Sequence, residues 1–343
     1  MKLSLEDQIK QAAELILKND VVGMPTETVY GLAARIDSDE AIKKIFSVKQ
    51  RPFFDPLIVH VSSIAQAQGC VSEWNQVAQL LAEKFWPGPL TLVLPKSAKI
   101  SDLITSGLTS VGLRWPQHTT AQKLISQVGV PLAAPSANKF GRTSPTQAQH
   151  VRDEFGDDVF VIDDVASIVG IESTVLSVKS AVAHTGMTYQ LSILRKGALL
   201  QSQIDEVMKN SNLAYSWVET TDKKESPGHM KHHYMPSIPL VICRNTKMKL
   251  QDVLDALNSK LALLPDEVEG VRIVKPAEVI EQVEFLNLPS DPALAARQLY
   301  AQLRISAERG AEAICFIQSP RHTGEMWESV FDRLYKAASL ILD

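Results

Sequence analysis

At 343 residues, with 45% apolar and 22% charged side chains, the chain is too long for one ordinary core and too apolar to stay disordered, so two soluble globular domains are expected. A formal net charge of −4 speaks against a broad nucleic-acid surface, although a local basic patch is compatible with it. Three scattered cysteines (Cys70, Cys243, Cys315) without a CxxC pair, and no apolar run of signal or membrane length, give a cytoplasmic expectation with reduced thiols and no membrane contact.

In chain order, Leu5, Ile9, Ala12 and Ile16 share one helical face, with Ser4 and Asp7 as a start signal of the capping-box kind. A strand over 21–24 opens into the hydroxyl-rich turn of Met24-Pro-Thr-Glu-Thr-Val-Tyr-Gly-Leu32. Ser38 can cap a helix with Ile42, Ile45 and Phe46 on its apolar face, and Lys49-Gln-Arg-Pro52 follows one helix after the hydroxyl-rich turn. A strand over 57–61 follows, then a helix carrying Val77, Leu80, Leu81 and Phe85, stopped by Trp86-Pro-Gly-Pro89. Further strands are expected at 90–94, 111–114, 131–134, 159–162, 173–178 and 191–194, with helices near 120–128 and 146–155. Strands outnumber helices late in this half, which predicts an α/β domain over 1–200 with an open, twisted, mixed sheet.

Apolar periodicity fades after residue 200, so 201–238 reads as an interdomain linker. It ends in the Gly-, His- and Pro-rich stretch 226–236. From 239 to 343 strands (240–243, 271–274, 313–318) alternate with helices (250–262, 292–308, 325–341), predicting a smaller, Rossmann-like, doubly wound α/β domain.

Neither GxGxxG nor a P-loop occurs, so anion binding falls to side chains and strand-end amides. Lys49 and Arg51, if extended, would turn two cations to one face and could clamp a polyphosphate; a solvated surface pair is the plainer reading. Ser136 and Asn138 in Ala134-Pro-Ser-Ala-Asn138 could bond a phosphate or ribose, or form a turn. Thr143 or Ser144 could cap the next helix. Arg114, at a strand end, could meet a carboxylate; His60 inside an apolar strand reads first as a core residue. Glu172-Ser-Thr174 and Arg195 are ambiguous in the same way. His229, His232 and His233 lack a matching Cys or carboxylate, so no resident metal is expected. With no serine elbow, HExxH or Cys–His signature, the chemistry must run on positioning and charge stabilisation.

Taken in order, PTETVYGL, KxRP, PLIVHV, FWPGPLTLVL, GLRWP, PSAN with SPT, ESTV and LRKG resemble YrdC-like threonylcarbamoyl-AMP synthases. The SPG…HYxP linker and the ending Phe331-Asp-Arg-Leu-Tyr-Lys-Ala-Ala338 resemble the two-domain members. The resemblance implies a YrdC-like fold and a nucleotidyl transfer in which L-threonine, bicarbonate and ATP give threonylcarbamoyl-adenylate and pyrophosphate. A separate transferase then modifies the adenosine beside the tRNA anticodon, and weak tRNA binding is an expectation that the resemblance also carries. It implies a threonine site of Thr28, His60, Arg114, Ala134 and Ser173. It also implies an ATP site of Lys49, Arg51, Asp55, Thr109, Ser136, Asn138, Ser144, Arg195 and Tyr234, with Lys49, Arg51, Ser136 and Asn138 catalytic and Mg²⁺ arriving with ATP. The 226–236 segment is expected to act as a lid. Gln50 stands where the family commonly has glycine, Asp55 where Asn is usual, and Ala134 where a hydroxyl is frequent, so a backbone contact is expected there. Two other readings are a carbamoyl-transfer protein, disfavoured by the missing CxxC, and an RNA-binding module, disfavoured by the acidic balance.

Overall fold

The computed structural model describes residues 3–183, 186–219, 226–227, 230–268, 271–275 and 279–343. It divides into two compact units, one of Met1–Asn138 with Thr146–His229, the other of Lys139–Pro145 with Met230–Asp343.

The first unit runs α1 (Leu5–Leu17), β1 (Val22–Met24), β2 (Gly31–Arg35), α2 (Asp39–Lys49), β3 (Ile58–His60), α3 (Ile64–Gln68), α4 (Gln76–Phe85) and β4 (Leu90–Pro95). It continues with α5 (Asp102–Thr105), β5 (Ser110–Arg114), α6 (Thr119–Val128), β6 (Leu132–Ala133), α7 (Ala148–Phe155), β7 (Phe160–Val161), β8 (Thr174–Ala183), β9 (Gly186–Arg195), α8 (Gln201–Lys209) and β10 (Tyr215–Trp217). Its strands form one mixed sheet in the order β10-β9-β8-β4-β5-β3-β6-β2-β1-β7. The expected open mixed sheet is present.

Strand alternation decides where a ligand can sit. One face of the sheet, including Val59, Leu92, Leu113, Ala133 and Leu176, carries the main core with Ile42 and Ile45 of α2 and Leu81 of α4. On the other, Val22, Ala33 and Leu132 are covered by Ile9 and Ile16 of α1 and Leu124 and Ile125 of α6. Farther along that second face, Ile58, Val93, Val175 and Leu194 form a small cluster of their own. The residues two positions along from these, His60 on β3 and Thr91 on β4, share that face, as does Ser173 at the start of β8.

Ser4 caps α1 as expected, its Oγ accepting from Asp7 N, and Ser38 caps α2 by accepting from Ala41 N. Gly31–Arg35 was not among the expected strands; it pairs antiparallel with both β1 and β6. The expected linker begins later than residue 201. Ile204 and Met208 bury one face of α8, and Asp205 accepts from both Tyr215 and Trp217, so two polar-looking stretches join the first unit.

In the second unit, β14 (Val283–Phe285), β15 (Ala313–Ile317), β11 (Leu240–Cys243) and β16 (Leu340–Leu342) form a wholly parallel sheet in that order. Its helices are α9 (Leu250–Lys260), α10 (Pro292–Glu308) and α11 (Glu325–Ala337). Two expectations change. The strand near 271–274 is the short β13 (Val271–Arg272), paired antiparallel with β12 (Glu267–Val268) outside the main sheet. The last helix stops at Ala337, because the apolar run Leu340–Leu342 pairs with β11.

Candidate active site

Sheet direction brings the candidate residues to one end. β3 and β5 run parallel and finish there, with His60 opposite Arg114. β4 is antiparallel to β5 and begins there, as does β8, which runs parallel to β4. β9 returns antiparallel along β8 and delivers Arg195 to the same end.

Arg114, 4% exposed, has its guanidinium tied on three sides. Nε donates to Gly88 O at 3.3 Å and Nη1 to Thr28 Oγ1 at 2.8 Å, while Nη2 lies 2.7 Å from Glu27 Oε1 in a buried ion pair. Thr28 Oγ1 also bonds Thr26 Oγ1 at 2.9 Å. The FWPGP motif acquires its purpose here: Gly88 donates to Trp115 O at 2.8 Å, and any Cβ on it would fall 2.3 Å from Phe85 O.

His60 is buried, its Nδ1 3.3 Å from Ile58 O. Burial, then the neighbouring Arg114 charge, pushes its pKa down to about 3, so the imidazole is neutral near pH 7. Ser173 Oγ meets Thr91 Oγ1 at 2.7 Å and accepts from Arg195 Nη2 at 3.1 Å, while Arg195 Nε donates to Ser173 O at 3.1 Å. Gly197 permits this: a Cβ there would lie 2.3 Å from Thr174 N and 2.4 Å from Ser173 C. Arg195 Nη1 reaches Pro227 O at 3.4 Å, and Pro227 lines a narrow crevice together with Ile58, Thr91, Val93, Gly112 and Val175. Ala134 is buried, and its N–H donates to Ile58 O at 3.1 Å.

The KxR pair departs from the extended picture. Lys49 is the last residue of α2, and Gln50 takes a left-handed conformation (φ 52°) that ends the helix. Lys49 Nζ, 1% exposed, donates to the carbonyls of Ser136 and Asn138, and this clasp joins the two motifs. Burial first, then Arg51, holds the Lys49 pKa well below the usual lysine range. Arg51 pairs with the fully buried Asp55 (Nη2 to Oδ2, 2.9 Å) and donates to Asp55 O and Pro56 O. Asp55 is thus the counter-charge of Arg51. Thr109, exposed one residue before β5, accepts from Lys96 N through its carbonyl.

Ser144 and Tyr234 belong to the second unit. The Tyr234 ring is buried among His233 (4.2 Å), Tyr300 (5.6 Å) and the Arg333 guanidinium (5.9 Å). The stretch after Asn138 does not cap α7; Gln147 stands at that position. Instead Met235 N donates to Gly141 O, Thr143 N to Met235 O and Thr143 Oγ1 to Tyr234 O, because this loop finds its backbone partners in the expected lid. Gly228 and His229 of that segment lie outside the described residues. Glu27, Thr26 and Thr91 were not singled out from sequence. All three lie inside quoted motifs, where a carboxylate or hydroxyl inside an apolar stretch was the available signal.

Two family descriptions match the chain: residues 14–197 match one described as "Telomere recombination" (Sua5_yciO_yrdC), and residues 199–339 match "Threonylcarbamoyl-AMP synthase, C-terminal domain". A threonylcarbamoyl-AMP synthase of Bacillus subtilis is 39% identical over 74% of this chain and 72% of its own length. That of Pyrococcus abyssi is 34% identical over 90% and 88%. That of Schizosaccharomyces pombe is 31% identical over 98% and 89%. The crystal structure of P. abyssi Sua5 complexed with L-threonine superposes with a TM-score of 0.76 at 31% identity, covering 100% of this chain and 98% of that one. With both parts of the sequence matched and relatives aligned along nearly its whole length, the chain belongs to the threonylcarbamoyl-AMP synthase family.

Proposed function

We propose that this protein joins L-threonine, bicarbonate and ATP into threonylcarbamoyl-AMP and pyrophosphate. The observation that carries the reading is the buried Arg114 guanidinium, tied to Thr28 and Glu27 at the mouth of the sheet beside a neutral His60. A fixed guanidinium suits an amino-acid carboxylate, which it can bind through charge-assisted hydrogen bonds. Thr28 and Ser173 offer hydroxyl partners for the rest of threonine, and Ala134, whose N–H is given to Ile58 O, offers its backbone carbonyl. A neutral His60 adds no positive charge beside the threonine nitrogen. This matters because the ammonium of bound threonine must give up a proton before its nitrogen can add to CO₂. Bicarbonate supplies the CO₂ by losing hydroxide, which leaves as water with that proton, and the second proton lost as the N–C bond forms passes to solvent. The resulting carbamate oxygen then attacks the α-phosphorus in line, and the bond to the leaving pyrophosphate breaks. Only positioning and charge are asked of the protein.

ATP is assigned to Lys49, Arg51, Ser136, Asn138 and Arg195, with Thr109, Ser144 and Tyr234 as further contacts carried over from the family resemblance. Lys49 and Arg51 would exchange part of their present carbonyl and Asp55 partners for phosphate oxygens. Mg²⁺ is proposed to enter with ATP. The ion commonly takes one or two carboxylates plus substrate phosphates, and Asp55 is the carboxylate beside Arg51 that suits this donor set. Bound there it would neutralise charge on the triphosphate and the leaving group. The 226–236 segment acts as a lid, supported by Pro227 against the crevice.

The product is a mixed anhydride, so the next step is acyl transfer by a partner transferase to the tRNA adenosine beside the anticodon, in the cytoplasm. Among the described residues no helix is long and apolar enough to cross a membrane. The test is pyrophosphate release from ATP and Mg²⁺ with L-threonine and bicarbonate omitted in turn, with mass analysis of products. Release that needs both substrates and yields threonylcarbamoyl-adenylate is expected; release indifferent to threonine overturns the reading. Unchanged adenylate formation after cleavage within 226–236 would overturn the lid.

A further inference from the structure

Glu27 is 2% exposed, and its carboxylate sits 2.7 Å from Arg114 Nη2. A charge that deep in the protein is costly unless it is paired. Its backbone is pinned as well: Val169 N donates to Glu27 O at 2.8 Å, Gly170 N to Thr28 O at 3.1 Å, and Ser167 Oγ to Thr26 O at 2.9 Å. The carboxylate is therefore held by a turn sewn to the 167–170 loop, and it in turn limits where the guanidinium can swing.

Its second consequence is electrostatic. A buried Arg114 with no counter-charge would attract any small carboxylate. With Glu27 against it, and with His60 neutral on the neighbouring strand, the positive charge of Arg114 is matched at this corner of the pocket. The guanidinium is then no longer a bare anion trap. A ligand whose own charges cancel fits better than one that brings only a negative charge.

Building on the threonine-site reading above, we infer that Glu27 is a positioning and specificity residue. It fixes the orientation of Arg114 and offsets its charge, so that the site selects a zwitterionic amino acid over a simple carboxylate of the same shape.

The test compares binding of L-threonine and of 3-hydroxybutyrate, the same skeleton without the amine, to the full-length wild type, Glu27→Gln and Glu27→Asp by titration calorimetry. In wild type threonine should bind at least about tenfold more tightly than 3-hydroxybutyrate. Glu27→Gln should weaken threonine by about tenfold or more and leave 3-hydroxybutyrate equal or tighter, collapsing the ratio. Glu27→Asp should restore part of it, and the KM for ATP at saturating threonine should stay within about threefold of wild type in both. Equal weakening of both ligands would mean a purely structural role and overturn the inference, as would an unchanged ratio. Should Glu27→Gln fail to fold, Arg114→Gln and the doubly substituted Glu27→Gln, Arg114→Gln protein carry the test, because the pair leaves no lone buried charge. If Glu27 acts through Arg114, the double variant binds threonine no worse than Arg114→Gln alone; a further tenfold loss overturns the inference. Wild-type protein that ignores threonine altogether would instead overturn the functional reading beneath it.

Discussion

The neutrality of His60 predicts how stability responds to acid. In the unfolded chain an imidazole titrates near 6.5, whereas burial and Arg114 bring it to about 3 in the folded protein. The folded pKa is the lower one, so the unfolded state binds more protons and stability rises with pH. The contribution is fully present above about 6.5 and is lost as pH falls toward 3. Each unit in that window costs about 1.4 kcal/mol, so lowering pH from 7.5 to 5.0 should remove about 2 kcal/mol through this one residue. The assay is urea unfolding at both pH values for wild type and His60→Asn. His118 and His322 are also depressed by burial and contribute to the wild-type slope, which is why the difference between the two proteins is the quantity to read. The variant should lose about 2 kcal/mol less than wild type over the interval. Imidazole NMR gives the same answer directly: the His60 ring should show no protonation shift between pH 8 and 5. Parallel pH slopes for the two proteins, or a His60 resonance titrating near 6, would refute the argument and with it the neutral partner assigned to the threonine nitrogen.

Other substitutions separate the two halves of the pocket. Arg51→Gln strands the fully buried Asp55 and should cost about 3–5 kcal/mol in unfolding measurements, whereas Arg51→Gln with Asp55→Asn should recover most of that and expose the loss of ATP use by itself. Arg114→Gln should raise the threonine KM at least tenfold with little change in the ATP KM; equal effects on both substrates would contradict the site division. Gln50→Gly should raise stability by about 0.5–1 kcal/mol in urea titrations, because glycine adopts the left-handed helix end without strain. Gly197→Ala should cost about 3 kcal/mol or more and weaken both substrates, since its methyl would overlap the Ser173–Thr174 backbone; a fully active, stable alanine variant would show that this close approach is not needed.

What the sequence disclosed follows from which forces act locally. Caps at Ser4 and Ser38 and the alternation that makes β3, β4 and β5 are short-range effects, and they match the structure. Lys49-Gln-Arg-Pro could be placed one helix after the hydroxyl-rich turn, but a left-handed helix end cannot be read from glutamine, so the extended geometry weighed for the two cations is not the one they take. Strand Gly31–Arg35 was missed because its small residues give no alternation, and its existence depends on partners far along the chain. The 201–217 segment looked polar because α8 buries only Ile204 and Met208. For the site, family resemblance pointed to Arg114, Thr28 and Ser173. That Glu27 and Asp55 counter their arginines depends on side-chain approach, which no spacing rule reports.

The loop following Asn138 is sewn to residues 234–235 within the second unit. Backbone bonds between 141–143 and 234–235 make one paired unit of two segments nearly a hundred residues apart in sequence, and Arg304 of α10 adds a donation to Thr143 O. Asn138 is covalently joined to one of those segments, and its carbonyl also receives Lys49 Nζ. At the other end of the linker, Pro227 accepts from Arg195, which is bonded to Ser173. A shift of residues 230–236 must therefore drag on 139–145 or break their hydrogen bonds, each worth about 1 kcal/mol. Residues 139–145 and 230–236 are thus held together as one part of the second unit. If 226–236 serves as the proposed lid, cutting within it should disturb ATP use even where the threonine residues stay in place; unchanged ATP use would remove that role.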